Sequence, residues 1–237
     1  MISWRLETYD ELGSTSDLCT ARAKAGEPEG FAVLARKQTA GRGSRGRSWQ
    51  APEGNLNLSV LLRPTMPAAL AGFYSLLAGV VAAEAIEPFF APPTMLKWPN
   101  DVLLGGAKLA GVLIDAAPNG QNLDWLVIGI GMNLRAAPQI PGRATTSLAA
   151  HGLTLSALDA ANAILSGFSR WHSASIEAIR DAWLNRAHPL GTPLEIKSAQ
   201  ATRSGTFAGL SPSGELLLQS NNRIHQISTG DVMLSPV

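Results

Sequence analysis

The central segment of the chain, residues 55–84, reads NLNLSVLLRPTMPAALAGFYSLLAGVVAAE and combines two patterns of different period. Leu56, Leu58 and Val60 stand at every second position, which predicts a strand over 55–63. The following run, 64–83, contains no charge, and its largest residues recur at helical spacing. The segment therefore predicts a sheet with a buried helix, ending near Phe90, that lies on it.

The uncharged run is also about long enough to cross a bilayer, which takes about 20 apolar residues. However, it contains Ala, Gly and Ser as often as Leu and Val, and Glu84 and Glu87 follow at once. We therefore interpret it as a buried helix. The N-terminus has no basic region followed by an apolar stretch, so we expect no secretory signal and a cytoplasmic location.

The regions around this segment add strands, turns and two further helical regions. We expect strands at 4–9 and 31–35, a helix from Ser14–Asp17 to Gly26, and a loop at 38–54. Four β-like runs follow the central helix, at 95–98, 101–104, 109–115 and 125–130. Helical spacing then returns over 156–187, where Ser156 and Asp159 have capping-box spacing.

The composition changes at His188, after which short alternating stretches are separated by Gly and Ser turns. About fifty residues of this kind predict a small β-barrel. The expected class is α+β, with a mixed or antiparallel sheet and packed helices. We expect one larger domain over 1–187 and the barrel over 188–237.

Composition limits the function classes. Hydrophobic residues make up 46% of the chain and charged residues 16%, so a packed core is expected. The net charge of +1 argues against a protein coated for bulk nucleic-acid binding. One cysteine, Cys19, excludes a disulfide framework, and the four histidines are scattered without zinc-ligand spacing.

The loop from Gln38 to Trp49 places three arginines among glycines within six residues, at Arg42, Arg45 and Arg47. Glycine allows backbone N–H groups to approach an anion, and arginine forms forked hydrogen bonds to phosphate or carboxylate. The loop is therefore a candidate anion site. A solvated flexible loop and an RNA-binding Gly-Arg patch are the alternatives.

Two further segments contain charged groups beside predicted strands. In the segment Leu96–Asp101, Asp101 follows a Trp-Pro turn and either faces magnesium near phosphates or, with Asn100, caps a hairpin. Lys108 lies between a glycine turn and an apolar strand, and its ammonium either enters a pocket or reaches solvent. In a third segment, 127–134, two glycines on one strand face leave space for a ligand or a packed helix.

Together, in this order and at these intervals, the segments resemble the biotin–protein ligase family. The matching motifs are Gly13-Ser-Thr-Ser16, Gln38 through Trp49, Lys97-Trp-Pro-Asn-Asp101, Lys108-Leu-Ala-Gly111 and Gly129-Ile-Gly-Met-Asn133. The resemblance covers residues 13–134 strongly and the C-terminal segment weakly. It implies a biotin/lipoate ligase-like catalytic domain and a small SH3-like C-terminal barrel, in a form lacking the N-terminal DNA-binding domain.

The resemblance also implies an enzyme that activates biotin with ATP and Mg²⁺ and transfers it to a lysine of a biotin carboxyl carrier protein. Arg42 and Lys108 would act in catalysis, and Asp101 would be associated with magnesium. The biotin site would be lined by Ser14, Thr15, Ser16, Gln38, Gly41, Arg42, Gly43, Ser44, Lys108, Gly111 and Gly129. The ATP or adenylate site would be lined by Arg45, Arg47, Trp49, Asn100 and Asn133.

Two positions depart from the family pattern, and both bear on how tightly the adenylate is held. The family often has Asn at position 16, and some members have Arg at position 44. The chain has Ser16 and Ser44 instead. The expected partner is the carrier domain of acetyl-CoA carboxylase or a related carboxylase, with no nucleic acid or membrane, in a monomer or homodimer. The alternatives are a lipoate–protein ligase and a Gly-Arg nucleic-acid-binding module.

Overall fold

The computed structural model describes residues 2–89, 94–198 and 201–234, which form two sheets and four α-helices. Seven strands form the larger sheet, in the spatial order β1-β2-β3-β7-β6-β5-β4. They are β1 (Arg5–Leu12), β2 (Phe31–Gln38), β3 (Leu56–Leu62), β4 (Met95–Lys97), β5 (Asp101–Leu104), β6 (Ala107–Asn119) and β7 (Asn122–Met132). Only β1 and β2 are paired in parallel, so the described sheet is mixed, as predicted.

Three of the four described α-helices begin after a serine cap, whereas the helix that begins at Phe73 follows Gly72 and has no side-chain cap. They are α1 (Thr15–Lys24), α2 (Phe73–Glu84), α3 (Ala157–Trp171) and α4 (Ile176–Leu184). Ser14 Oγ accepts a hydrogen bond from Asp17 N at 3.4 Å, and Ser156 Oγ accepts one from Asp159 N at 3.0 Å. These bonds satisfy N–H groups that the first helical turn leaves without a partner.

The central helix is buried, as predicted, but it begins at Phe73, several residues after Pro64. Pro64 and Pro67 lack the backbone N–H that a helix interior needs, and residues 68–70 form a 3-10 turn instead. The helix ends at Glu84, earlier than the predicted end near Phe90, which itself lies outside the described residues. Among the described helices, none has the length and apolarity needed to cross a membrane.

The two faces of the larger sheet bury different helices. Residues that alternate along β3 and β7, including Leu58, Val60 and Ile130, belong to the main core with α2 and α3. Those of opposite parity, including Leu61 and Val127, form a smaller cluster with Cys19 of α1. Since α1 covers only one end of its face, the middle of that face is available for a site.

The C-terminal segment forms a five-stranded antiparallel sheet in the order β11-β10-β9-β8-β12. Its strands are β8 (Pro193–Lys197), β9 (Thr202–Leu210), β10 (Leu216–Ser220), β11 (Arg223–Ile227) and β12 (Asp231–Leu234). This arrangement agrees with the predicted small all-β unit. Its apolar residues join the main core, and Trp98 Nε1 donates to Gly214 O at 3.0 Å, so the two sheets are packed together. The boundary at 187/188 stays a prediction.

Candidate functional site

The uncovered part of the α1 face is polar and lined with small residues. In the sheet register, Asn57 lies opposite Gly131, Ser59 opposite Gly129, and Gly111 opposite Gly131. Asn57 and Ser59 are 1% and 0% exposed, so these polar residues of the alternating strand point into the protein. Glycine and short polar side chains at these positions leave a depression in the sheet surface.

A network of neutral hydrogen bonds lines this depression. Strands β1 and β2 end side by side, which brings the start of α1 next to Gln38. Gln38 Oε1 accepts from Thr15 N at 2.7 Å and from Thr15 Oγ1 at 3.0 Å. Ser59 Oγ donates to Thr15 Oγ1 at 2.8 Å and lies 3.1 Å from Ser16 Oγ. Gln38 Nε2 donates to Asn57 Oδ1 at 3.2 Å, so the inner wall is polar but uncharged.

At the other end of the depression, one carboxylate lies between two lysines. Lys108 Nζ is 2.5 Å from Asp101 Oδ1, and Lys97 Nζ is 3.0 Å from Asp101 Oδ2. Burial raises the pKa of Asp101, but the ammonium groups of Lys108 and Lys97 outweigh burial and hold this pKa below its usual value. The Lys108 side chain is 20% exposed, so it turns into the protein.

Protein side chains alone do not form a magnesium site around Asp101. Each carboxylate oxygen already pairs with an ammonium group. Throughout residues 2–89, 94–198 and 201–234, no group of three or more His, Cys, Asp or Glu side chains could hold a metal ion. The assignment of magnesium to Asp101 therefore stays a prediction from the resemblance. The two ion pairs of Asp101 favour a role in orienting Lys108.

Trp49 lies against the glycines of the depression. A Cβ built on Gly131 would come within 2.2 Å of the Trp49 ring, so only glycine allows this approach. Lys108 Nζ lies 5.6 Å from the ring centroid, within the range of a cation–π interaction. The remaining cavity has a volume of about 40 Å³, room for a few water molecules only, so a larger ligand requires Trp49 to move.

This cavity brings together most of the residues predicted for the biotin site. Its lining includes Ser14, Thr15, Ser16, Gln38, Arg42, Gly43, Ser44, Lys108, Gly111 and Gly129. Trp49 and Asn100, which were predicted on the nucleotide side, also line it. Asn100 Nδ2 donates to Val112 O at 2.7 Å, which ties the Trp-Pro hairpin to β6. Gly41 is not part of this lining; a Cβ there would come 2.5 Å from Trp49 O and 3.0 Å from Gln38 Nε2.

Arg42, which was expected near the reacting carboxylate of biotin, lines this cavity and pairs with two carboxylates. Its Nε lies 2.9 Å from Asp17 Oδ1, and its Nη2 pairs with Asp115 Oδ2. Both partners are residues of the protein, so the charge of Arg42 is already compensated. The hydrogen bond from Trp49 N to Gly41 O, 2.8 Å, closes this part of the loop over the cavity mouth.

A second cavity, of about 450 Å³, lies on the outer side of Trp49. Its lining includes the predicted residues Gly43, Ser44, Arg47, Trp49, Lys108 and Asn133. Asn133 Oδ1 and Trp49 Nε1 are buried and have no hydrogen-bond partner among the described residues. A buried acceptor and a buried donor without partners suit a polar ligand that supplies the complementary groups.

Arg45 and Arg47 point away from the first cavity toward Asp231 of β12. Arg143, which lines the second cavity, lies 3.7 Å from the same carboxylate. The Ser44 hydroxyl accepts a hydrogen bond from Arg47 Nη2 at 3.0 Å, so the departure at position 44 supports an arginine within the loop.

Sequence reasoning missed several residues of this region. Asn57 and Ser59 are the polar positions of the alternating strand, but alternation alone does not indicate that their face is buried. Arg143 and Asp231 lie in segments without a motif, so no local signal indicated them. A larger cavity of about 760 Å³ lies beside residues 153–158, and none of the predicted site residues lines it.

Comparisons with known proteins agree with this geometry. The model of the Biotin/lipoate A/B protein ligase family matches residues 14–133, and that of the Biotin protein ligase C terminal domain matches residues 191–235. A biotin–[acetyl-CoA-carboxylase] ligase of Paracoccus denitrificans is 38% identical over 79% of this chain and 83% of that protein.

Two solved structures are similar over nearly the whole chain. The biotin protein ligase from Aquifex aeolicus in complex with biotin and ATP is 27% identical, with a TM-score of 0.80 over 98% of this chain and 99% of that one. The Leishmania major enzyme in complex with biotinyl-5-AMP is 26% identical, with a TM-score of 0.67 over 95% and 99%. The chain therefore belongs to the biotin/lipoate A/B protein ligase family and, within it, to the biotin protein ligases.

Proposed function

We propose that this chain activates biotin with ATP and transfers the biotinyl group to a lysine of a biotin carboxyl carrier domain. One observation supports this most directly: Lys108 lines both cavities, with Trp49 between them. An ammonium at such a boundary suits a reaction in which two anionic ligands are joined. The relatives described above, which bind biotin, ATP or biotinyl-5-AMP, support the same assignment.

The first cavity, which we call the inner cavity, suits biotin because its lining changes from neutral polar groups at one end to a cation at the other. Thr15, Gln38 and Asn57 offer neutral donors and acceptors at the inner end, which suit the ureido group, and Ser59 holds Thr15 from behind. Lys108 stands at the outer end, where a carboxylate at the end of an aliphatic chain would lie. A lipoate ligase would not need the inner polar network, since the lipoate ring has no hydrogen-bonding groups.

The first step joins two negatively charged groups, the carboxylate of biotin and the α-phosphate of ATP. Two unit charges about 4 Å apart repel by roughly 4 kcal/mol at an effective dielectric of about 20, which corresponds to roughly a thousandfold in rate. Lys108 is placed to cancel this repulsion, and Arg47 and Arg143 line the adjoining cavity, where the phosphates would bind. Cations there also stabilise the pyrophosphate leaving group.

In the second step, the amine of an acceptor lysine attacks the acyl carbon of the mixed anhydride, and AMP leaves. The anhydride hydrolyses in water, so a cover that excludes water protects it. The loop segment containing Trp49 borders both cavities, and once biotin has moved Trp49 off Gly131 this segment would provide that cover. Opening of this loop would admit biotin, and closure would retain the adenylate.

We assign the carrier domain of acetyl-CoA carboxylase or a related carboxylase as the acceptor, and the cytoplasm as the compartment. The single buried cysteine, Cys19, is compatible with a reducing environment. Nucleic acid is not a proposed ligand, because a net charge of +1 does not supply the broad basic surface that nucleic-acid binding requires.

Incubation with biotin, Mg-ATP and a purified biotin carboxyl carrier domain tests the proposal. Mass spectrometry should show one added biotinyl group on the acceptor, and none when its target lysine is replaced by arginine. Replacement of biotin by lipoate should leave the acceptor unmodified. Transfer of lipoate to its own carrier domain, with no biotin transfer, would establish the rival ligase activity instead.

A further inference from the structure

Three arginines from two segments converge on one carboxylate of the C-terminal sheet. Arg47 Nη1 lies 3.0 Å from Asp231 Oδ2, and Arg47 Nη2 donates to Asp231 Oδ1 at 3.2 Å. Arg45 Nη1 lies 3.0 Å from Asp231 Oδ2, and Arg143 Nη2 lies 3.7 Å from it. The fork of Arg47 gives the cluster a defined geometry, since a bidentate pair constrains both groups.

Asp231 is held by the strand that it begins. It pairs in register with Lys197 of β8, and the next residue, Val232, is 4% exposed. Val232 O accepts a hydrogen bond from Lys97 Nζ at 3.3 Å. The position of the carboxylate is therefore set by the C-terminal sheet and is tied to the lysine that also pairs with Asp101.

The arginines reach Asp231 from both sides of the second cavity, which the proposed function assigns to ATP and which we call the nucleotide cavity. Arg45 and Arg47 belong to the loop, and Arg45 has a φ of 59°, the left-handed conformation that few non-glycine residues adopt. Arg143 precedes a segment that pairs with Lys108, because Lys108 N donates to Ala144 O at 2.9 Å. Arg47 and Arg143 both line the 450 Å³ cavity, so the cluster lies along its edge.

The charges of the cluster do not cancel. Three guanidinium groups surround one carboxylate, which leaves a net charge of +2 beside the cavity. Burial raises the pKa of Asp231, but Arg47, Arg45 and Arg143 outweigh burial and hold this pKa below its usual value. The carboxylate therefore stays ionised at neutral pH, and without it the three cations would repel one another.

We propose that Asp231 is a positioning residue for the nucleotide: it gathers Arg45, Arg47 and Arg143 at the cavity edge, where they meet the phosphates of ATP. The C-terminal sheet thereby sets the affinity for the nucleotide and holds the Gly-Arg loop closed. This inference rests on the proposed function. The alternative is that Asp231 blocks the arginines until ATP displaces it. In that case, removal of the carboxylate would make ATP bind more tightly, whereas a positioning role predicts weaker binding.

Asp231→Asn tests the role, with Asp231→Glu as the conservative variant. The matched control is Asp124→Asn, which removes the exposed carboxylate paired with Arg63 at 3.2 Å on another part of the surface. We expect Asp231→Asn to raise the KM for ATP about tenfold, equivalent to about 1.4 kcal/mol. The kcat and the Kd for biotin should change less than about threefold, since a charge removed at the edge of the nucleotide cavity leaves the biotin network in place.

Tryptic cleavage after Arg45 and Arg47, measured without nucleotide, should be several-fold faster in Asp231→Asn and restored in Asp231→Glu. An unchanged or lowered KM for ATP would overturn the proposal, as would equal losses in biotin and ATP binding. The cleavage rate needs no enzyme activity. If Asp231→Asn is cleaved at the wild-type rate, the positioning role is wrong, whether or not the chain has ligase activity. Absence of ligase activity would count against the proposed function separately.

Discussion

Lys108 is held in place by a carboxylate that it shares with Lys97. Asp101 lies between the two ammonium groups, and its side chain is 10% exposed, so neither pair is a typical solvent-screened surface ion pair. The hairpin motif suggested a metal-facing aspartate, whereas the structure directs this aspartate toward two lysines. We infer that Asp101 orients Lys108 and keeps its ammonium at the boundary of the two cavities.

The Asp101→Asn variant should lose stability in a pH-dependent way. An unfolded aspartate titrates near pH 3.9, and the lysines lower the pKa in the folded protein, so the stabilisation is complete above about pH 4. It is lost as the pH falls through the folded pKa. At pH 7 we expect the variant to be about 2–4 kcal/mol less stable, because a partly buried charge pair is broken.

Urea unfolding between pH 7 and pH 3 measures this difference. The gap between wild type and Asp101→Asn should narrow at the acid end of the range. Asp124→Asn, whose carboxylate is more than half exposed, should differ little from wild type at any pH. A gap that stays constant down to pH 3 would show that charge is not the cause.

Motif residues were predictable singly, but their partners were not. Lys108 was identified from its position before an apolar strand, and the structure selects the pocket over solvent. Arg42 was expected near a substrate carboxylate, but its pairing with Asp115, which lies 73 residues away, was not predicted. Pairing over such a distance depends on strand order, which local patterns do not specify.

At the scale of elements, the site exists because strands β3, β6 and β7 present small or polar residues on one face. The opposite face of the same strands is fully apolar and packs against α2 and α3. Alternation in β3 predicted the strand, but Asn57 and Ser59 looked like solvent-facing residues. Their face became recognisable only once β7, with Gly129 and Gly131, was placed beside β3.

A double-mutant cycle tests the packing of the Trp49 ring against Gly131. Gly131→Ala should displace the indole, because the added Cβ would come within 2.2 Å of it, and should open the Gly-Arg loop. We expect tryptic cleavage after Arg45 and Arg47 to become about tenfold faster. In a Trp49→Ala background, the same substitution should have almost no further effect, since residues in contact are not additive.

Gly72→Ala is the matched control for this cycle, because a Cβ at Gly72 would meet no atom within 4 Å. It should leave cleavage unchanged in both backgrounds. The proposed packing of Trp49 against Gly131 is wrong if Gly131→Ala accelerates cleavage by the same factor with and without Trp49, or does not accelerate it at all.

At the scale of the whole molecule, the C-terminal sheet and the larger sheet share one apolar core and a line of polar contacts. Trp98 and Lys97 of the motif hairpin donate to the backbone of Gly214 and Val232, respectively. The existence of a small β unit was predictable from its short alternating stretches. Its contact with the loop was not, because Asp231 lies 184 residues after Arg47.

Ligand specificity should appear in the thermal stability of the whole chain. Biotin at 100 times its Kd stabilises the folded state by about 2.7 kcal/mol. For a protein of this size, we expect Tm to rise by roughly 5–10 °C. Lipoate at the same concentration should leave Tm nearly unchanged, because it cannot use the polar network of Thr15, Gln38 and Asn57. An equal rise with lipoate would contradict the assignment of the inner cavity.

The central claim, that Lys108 cancels the repulsion between biotin and ATP, is tested most directly by biotin-dependent exchange of pyrophosphate into ATP. Lys108→Ala should lower the exchange rate about 100- to 1,000-fold with the fold intact, because the cation at the boundary of the two cavities is lost. Lys37→Ala, which removes an exposed lysine paired with Glu11, should leave the rate unchanged. An undiminished exchange rate in correctly folded Lys108→Ala would contradict the account.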